Sequence, residues 1–308
     1  MIDFYSLIKD TKAYKTLKAE KEKGALSHAY LFLTPDKTFL SEYLKEFSKV
    51  IMGGDAIVNK KIENDAHPDV KVYPKNHKNV LVEDVKDLIE ESFYKPTEGE
   101  IKLFVITNAE TMNPASQNKL LKTLEEPPKN VVLLLGATSE YALLSTIKSR
   151  VKKLEISTLN KDTVIRVLKE EYKTENASLA VSLSDGTLGS AVEYLEKEEI
   201  KDLVALVKDM TINMQSSASV LDYSVKITSQ KTDVKTFLSV TSWAYSEMLK
   251  EGEITGEYPN GYKTGSVINA LEKIAEANKR LTFNANATML VEWLLLQILE
   301  GRFKWQKL

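Results

Sequence analysis

Seven residues, Val131–Ala137 (VVLLLGA), constrain this chain more than any other stretch. The run is far short of the roughly 20 apolar residues a membrane-spanning helix needs. Pro127-Pro128 just before it stop any incoming helix, because proline lacks an amide donor and disfavours helix in the residue it follows. A short segment that is apolar throughout reads as a strand covered on both faces, and such strands belong to parallel sheets. Further strand candidates are Tyr30–Leu33, Val70–Tyr73, Lys102–Thr107 and Lys153–Ile156. Between them lie helical patterns. Leu40, Tyr43, Leu44, Phe47 and Ile51 recur at helical spacing, as do Val85, Leu88, Ile89 and Phe93. Asn113-Pro114 marks a sharp helix start, with Asn able to cap free amides and Pro suited to the first turn. Strands alternating with helices predict a mostly parallel sheet with helices on both sides.

After about Ser157 the strand signals stop. Residues 160–210 read as several short helices with Ser184-Asp185-Gly186 as a turn, and residues 213–305 as longer helices broken by Glu251–Gly265. The expected fold class is α/β plus all-α, in three domains: 1–158, 159–210 and 211–308.

Several chemistries drop out. With no cysteine, the chain has no disulfide, thiolate metal site or cysteine nucleophile. Its three histidines, His28, His67 and His77, are scattered, whereas a structural zinc site takes about four ligands. His28 and His67 are expected to be hydrogen-bonded parts of the fold, and Trp243 and Trp293 to anchor a core or a subunit interface. The start, MIDFYSLIKDTKAYK, reaches charge too soon for a signal peptide, so a cytoplasmic location without membrane contact is expected. A formal charge of −2 gives no whole-molecule drive toward DNA, so any nucleic-acid contact must be local or shared.

Five ordered blocks carry more information: SHAYLF (Ser27–Phe32), HPDV (His67–Val70), KLFVITNAETM (Lys102–Met112), NKLLKTLEEPP (Asn118–Pro128) and Ser149-Arg150. By periodicity alone NKLLKTLEEPP is an amphipathic helix with Leu120, Leu121 and Leu124 inward. Together the blocks resemble the AAA+ clamp-loader subunits of bacterial DNA polymerase III, closely over residues 25–158 and less beyond. The resemblance implies an AAA+ domain with a parallel sheet, a small helical lid domain and a C-terminal helical collar domain. Implied partners are clamp-loader ATPase subunits, the clamp-opening delta subunit, the sliding clamp and primer–template DNA.

Members of that family with and without ATPase activity share a fold, so the nucleotide site decides between them. A working phosphate loop needs glycines for close backbone approach, a Lys, and a Ser or Thr for magnesium. This chain has Thr34-Pro35-Asp36-Lys37-Thr38, without glycine and with a carboxylate near the expected phosphate. Where relatives hold adjacent carboxylates it reads Asn108-Ala109-Glu110, and where they carry a sensor arginine it has Gly189, within Asp185–Ala191. Thr138, at the first sensor position, is expected to cap its strand instead. Relatives often carry a four-cysteine zinc module before HPDV, and Gly53–Ala66 has none of its thiols. No cofactor is expected.

Ser149-Arg150 points the other way. Read from charge alone, Arg150 belongs to a solvated run with Lys148, Lys152 and Lys153. In the family a Ser-Arg-Cys triplet lends its arginine to the ATP of a neighbouring subunit. The resemblance therefore makes Arg150 a catalytic arginine in trans beside Ser149, with Val151 in place of the Cys. Lys119 and Lys122, three apart on one helix, are expected near DNA. The expected function is a non-ATP-binding clamp-loader subunit, accessory to the polymerase. Two alternatives stay open: an active AAA+ clamp-loader ATPase, which ATP affinity would reveal, and an autonomous DNA-binding or scaffold protein, which tight low-salt DNA binding would reveal.

Overall fold

The computed structural model describes residues 2–75, 78–184, 186–229, 233–281 and 286–306. Two residues named above, His77 and Asp185, lie outside these. The chain divides into one unit of Met1–Asn160 with Thr187–Gly189, and another of Lys161–Gly186 with Ser190–Leu308.

In the first unit five strands form one sheet: β1 (Ala29–Leu33), β2 (Val70–Tyr73), β3 (Lys102–Ile106), β4 (Val131–Ala137) and β5 (Lys152–Glu155). Their order is β2-β3-β4-β1-β5, and every pairing is parallel. β4 lies between β3 and β1, with Leu133 opposite Ala29 on one side and Phe104 on the other. That placement explains its composition. Val131, Leu133, Leu135 and Ala137 pack on one face with Leu88, Leu120 and Leu124; Val132 and Leu134 pack on the other with Leu44 and Phe47. Gly136 is required by the second face, since a Cβ there would stand 2.5 Å from Leu44 Cδ1. The helix Pro114–Glu125 begins as expected, with the Asn113 side chain accepting from Ser116 N at 2.8 Å.

The Gly53–Ala66 stretch contains the helix Ala56–Glu63, capped by Asp55. Ile62 is buried beneath it, and Lys49–Glu63 (2.9 Å) and Lys45–Asp65 (3.1 Å) tie its end to the helix Leu40–Met52. Packing and ion pairs hold this segment in place.

Among the described residues the second unit is all helical. Its long members are Glu198–Asn213, Val234–Thr255, Thr264–Leu281 and Ala287–Gln306. One apolar core runs through it, from Leu179 and Leu203 to Leu294 and Leu299. The helix Glu198–Asn213 runs through positions 210 and 211. Trp243 donates to Ser178 Oγ at 3.0 Å, and Trp293 is half-buried under the Arg280 guanidinium. Tyr245 and Tyr262 share a buried hydrogen bond of 3.0 Å, with Arg302 over the Tyr262 ring. Among the described residues no helix is long and apolar enough to cross a membrane.

Asp69 of the HPDV block is fully buried. Its carboxylate accepts from three consecutive amides, Thr97 N (2.5 Å), Glu98 N (2.8 Å) and Gly99 N (3.1 Å), pinning the loop that leads into β3. Burial alone would raise its pKa, but these donors outweigh it and hold the pKa below the usual carboxylate value. A depressed folded-state pKa stabilises above the unfolded value near 3.9 and ceases to do so as pH falls through the folded one. Asp69→Asn is therefore expected to lower stability by about 2 kcal/mol at neutral pH, because its amide turns donors toward donors. Urea midpoints of the two proteins should begin to draw together below about pH 4 and meet only as pH falls through the lower folded-state pKa, where the wild-type carboxyl protonates. A gap that stayed constant down to pH 2 would remove the carboxylate explanation.

Candidate nucleotide-site and arginine region

The C-terminal edge of β1 is where an open parallel sheet presents amides to anionic ligands. Here the edge is closed by the protein itself. Thr34 is buried, donating its amide to Ala137 O at 3.2 Å and accepting from Asp36 N at 3.3 Å. Asp36 is buried too. Its Oδ1 accepts from Phe39 N (3.2 Å), Oδ2 accepts from Gly189 N (3.1 Å), and Tyr43 donates its hydroxyl to the same carboxylate. Burial, and then the Asp36 charge, push the Tyr43 phenol well above its ordinary pKa. Pro35, Lys37 and Thr38 are exposed, so Lys37 belongs to no enclosed cradle. A side chain meets amides at the ends of two helices, in the manner of a bound anion.

Gly189 follows from that contact. A Cβ there would lie 2.3 Å from Asp36 Oδ1 and 2.4 Å from Thr38 Cβ, closer than atoms can approach. Any larger side chain, arginine included, would require the segment to move. Glu110 is engaged as well: its Oε1 accepts from Thr138 N (3.0 Å) and Thr138 Oγ1 (2.6 Å). Thr138 is half-buried and does cap the end of β4 through this carboxylate. Among the described residues no three His, Asp or Glu side chains gather in a metal-binding group.

Of the two histidines, His67 is buried and accepts from Asp69 N at Nδ1, 3.1 Å away. His28 corrects the expectation: its buried Nε2 has no hydrogen-bond partner among the described residues, because the bond that anchors this residue comes from its carbonyl, which accepts from Leu133 N.

Arg150 follows the short helix Ser145–Lys148 and precedes β5. Its side chain is about one-third exposed (34%). Nη2 pairs with Glu125 Oε1 at 2.8 Å, while Nη1 donates to Thr146 O (2.9 Å) and Ser149 Oγ (3.2 Å). Ser149 in turn donates to Thr146 O at 3.0 Å. Ile147 and Val151 are buried in the sheet's core, which fixes the chain on both sides of the arginine. Lys152 and Lys153 pair with Glu20 and Glu140, so the basic run is not one shared charged face. Lys119 and Lys122 are exposed on the helix Pro114–Glu125, with no carboxylate in ion-pair range of either among the described residues.

Sequence reading missed Gln117. It is buried on the same helix, donates from Nε2 to Met112 O and Ala142 O (both 2.9 Å), and accepts at Oε1 from Leu144 N (2.8 Å). A polar residue on the apolar side of a helix was the available signal. Glu125 was missed for another reason: its partner is 25 positions away in sequence and set by the fold.

The family described as DNA polymerase III, delta subunit matches residues 9–160. DNA polymerase III subunit delta' of Bacillus subtilis (strain 168) is 26% identical over 318 residues, covering 94% of this chain and 96% of that protein. Subunit delta' of Haemophilus influenzae is 34% identical over 120 residues, 39% of this chain and 37% of its own length. Subunit tau of Bacillus subtilis is 27% identical over 199 residues, 59% of this chain and 35% of its own. The chain thus spans nearly the whole of the first relative and over a third of the others. Over nearly its whole length the chain is thus similar to a DNA polymerase III subunit delta', and its first half matches the family described as DNA polymerase III, delta subunit.

Proposed function

We propose that this chain is a clamp-loader subunit that binds no ATP itself and lends Arg150 to the ATP of an adjacent ATPase subunit. The observation that carries the reading is Asp36: a buried carboxylate occupies the amides of Phe39 and Gly189 beside the C-terminal edge of β1, where an open parallel sheet receives anions. A second anion there would meet repulsion and no free donor pair. Arg150 is suited to the other half of the role, because its delocalised charge and planar fork match phosphate oxygens as charge develops on them. Partners under this reading are the ATPase subunits, the delta subunit and, within the assembly, the sliding clamp and primer–template DNA. Lys119 and Lys122 would meet the DNA backbone through charge, weakly and with strong salt dependence in the isolated chain. Residues 159–210 would serve as the lid and 211–308 as the collar that joins the subunits, in the cytoplasm.

Isothermal titration of the isolated chain with MgATP tests the nucleotide half. No binding is expected up to millimolar ATP, and size-exclusion should show the same sample joining the ATPase subunits. Micromolar affinity would replace this reading with that of an active ATPase. Tight low-salt DNA binding by a chain that fails to assemble would favour an autonomous DNA-binding protein.

A further inference from the structure

Glu125 is the last residue of the helix Pro114–Glu125, and Glu126 follows it. Carboxylates are misplaced at that end of a helix, where unpaired carbonyls already carry partial negative charge. A nearby cation offsets this, and Arg150 supplies it at 2.8 Å. The consequence for the arginine is geometric. A guanidinium has five N–H donors in a rigid plane. Nη1 donates to Thr146 O and Ser149 Oγ, and Nη2 stands 2.8 Å from Glu125 Oε1 as an ion pair. The Nε hydrogen has no hydrogen-bond partner among the described residues. Two hydrogen bonds and one ion pair to the chain's own atoms therefore hold the fork, with the Nε–H outside them, on a partly exposed side chain.

We propose that Glu125 is a positioning residue for Arg150: it holds the guanidinium plane so that its remaining N–H groups face outward, ready for the phosphate oxygens of a neighbouring subunit's nucleotide. This rests on the reading of Arg150 as an arginine acting in trans. Two of the three tethers, Thr146 O and Ser149 Oγ, lie within four residues of Arg150 and move with it. Glu125 comes from a different element and is the tether that relates the fork to the body of the sheet domain. An arginine without it would sample several rotamers, and the reactive geometry would have to be selected at each turnover. The pair is half-exposed, so its loss leaves the fold and the assembly intact.

The test uses the complete loader with DNA and clamp, comparing wild type, Glu125→Gln, Arg150→Ala and the double variant. Glu125→Gln is expected to lower kcat about tenfold with KM for ATP unchanged, and to add nothing in the Arg150→Ala background. Thermal unfolding and size-exclusion profiles should match wild type. A wild-type or raised kcat in Glu125→Gln overturns the proposal, as does an equal further loss in the double variant. If Arg150→Ala itself leaves the rate unaltered, the trans-arginine reading fails, and that failure is read from a different variant.

Discussion

Arg150→Ala is expected to slow ATP hydrolysis at the neighbouring site by about a hundredfold or more, in a loader that still assembles, since arginines supplied in trans contribute roughly 10³–10⁵ in rate where GTPases have been measured. The expected loss is in turnover rather than in nucleotide affinity, because the arginine meets charge that develops as the phosphoryl group leaves. Folding should be indifferent: the side chain is about one-third exposed and its ion pair with Glu125 half-exposed, a pairing worth at most about 1 kcal/mol. Arg150→Lys should recover little, because a single ammonium cannot hold Glu125, Thr146 O and Ser149 Oγ while also reaching outward. DNA- and clamp-stimulated phosphate release, followed together with assembly by size, measures this. An unchanged rate would leave an architectural subunit without a catalytic role.

Gln117→Ala is the substitution expected to cost most stability, about 3 kcal/mol or more in the sheet domain. The lost amide joins the start of its own helix to the loop after β4: its two donors serve Met112 O and Ala142 O, and its acceptor serves Leu144 N. Truncation strands three backbone groups in a region where Gln117 itself is 2% exposed, and each stranded group costs roughly 1–3 kcal/mol. Gln117→Glu separates the hydrogen bonds from the volume. It keeps the acceptor and the shape but turns a carboxylate toward two carbonyls, so it too should destabilise at neutral pH. Urea denaturation followed by circular dichroism reads both, and a loss under about 1 kcal/mol would mean that other groups take over these bonds.

The sheet was legible because its strands had to be covered on both faces, and continuous apolar runs survive in sequence without any knowledge of neighbours. β4 and β2 fall at their expected limits, and β5 begins one residue earlier than its apolar pattern suggests, at Lys152, whose charged side chain is carried at the sheet edge by Glu20. The helix Val234–Thr255 runs on through Glu251–Thr255, where sequence suggested a break; Gly252 stays helical because Tyr258 packs onto it, with a Cβ there only 2.1 Å from that ring. The missing phosphate loop was visible as an absence of glycine, yet the bonds that replace it were not. Asp36 and Gly189 are 153 positions apart, and pairing at that distance is a property of the fold. Asp69, Gln117 and Glu125 share this character. Each is a polar residue whose partner is chosen by tertiary structure, so periodicity assigns it to a face and says nothing of its bonds.

Asp36 can also be considered as a ligand. A dissociable anion would occupy its amides only in proportion to its concentration, whereas a tethered carboxylate is present at a fixed and high effective concentration. A nucleotide shifts a conformational equilibrium only by its difference in affinity between two states. If, as proposed, the chain binds no ATP, swings in the ATP to ADP ratio would have no lever on the segment around Phe39 and Gly189. In an assembly whose other members cycle with their nucleotides, this chain would be the reference that does not keep time.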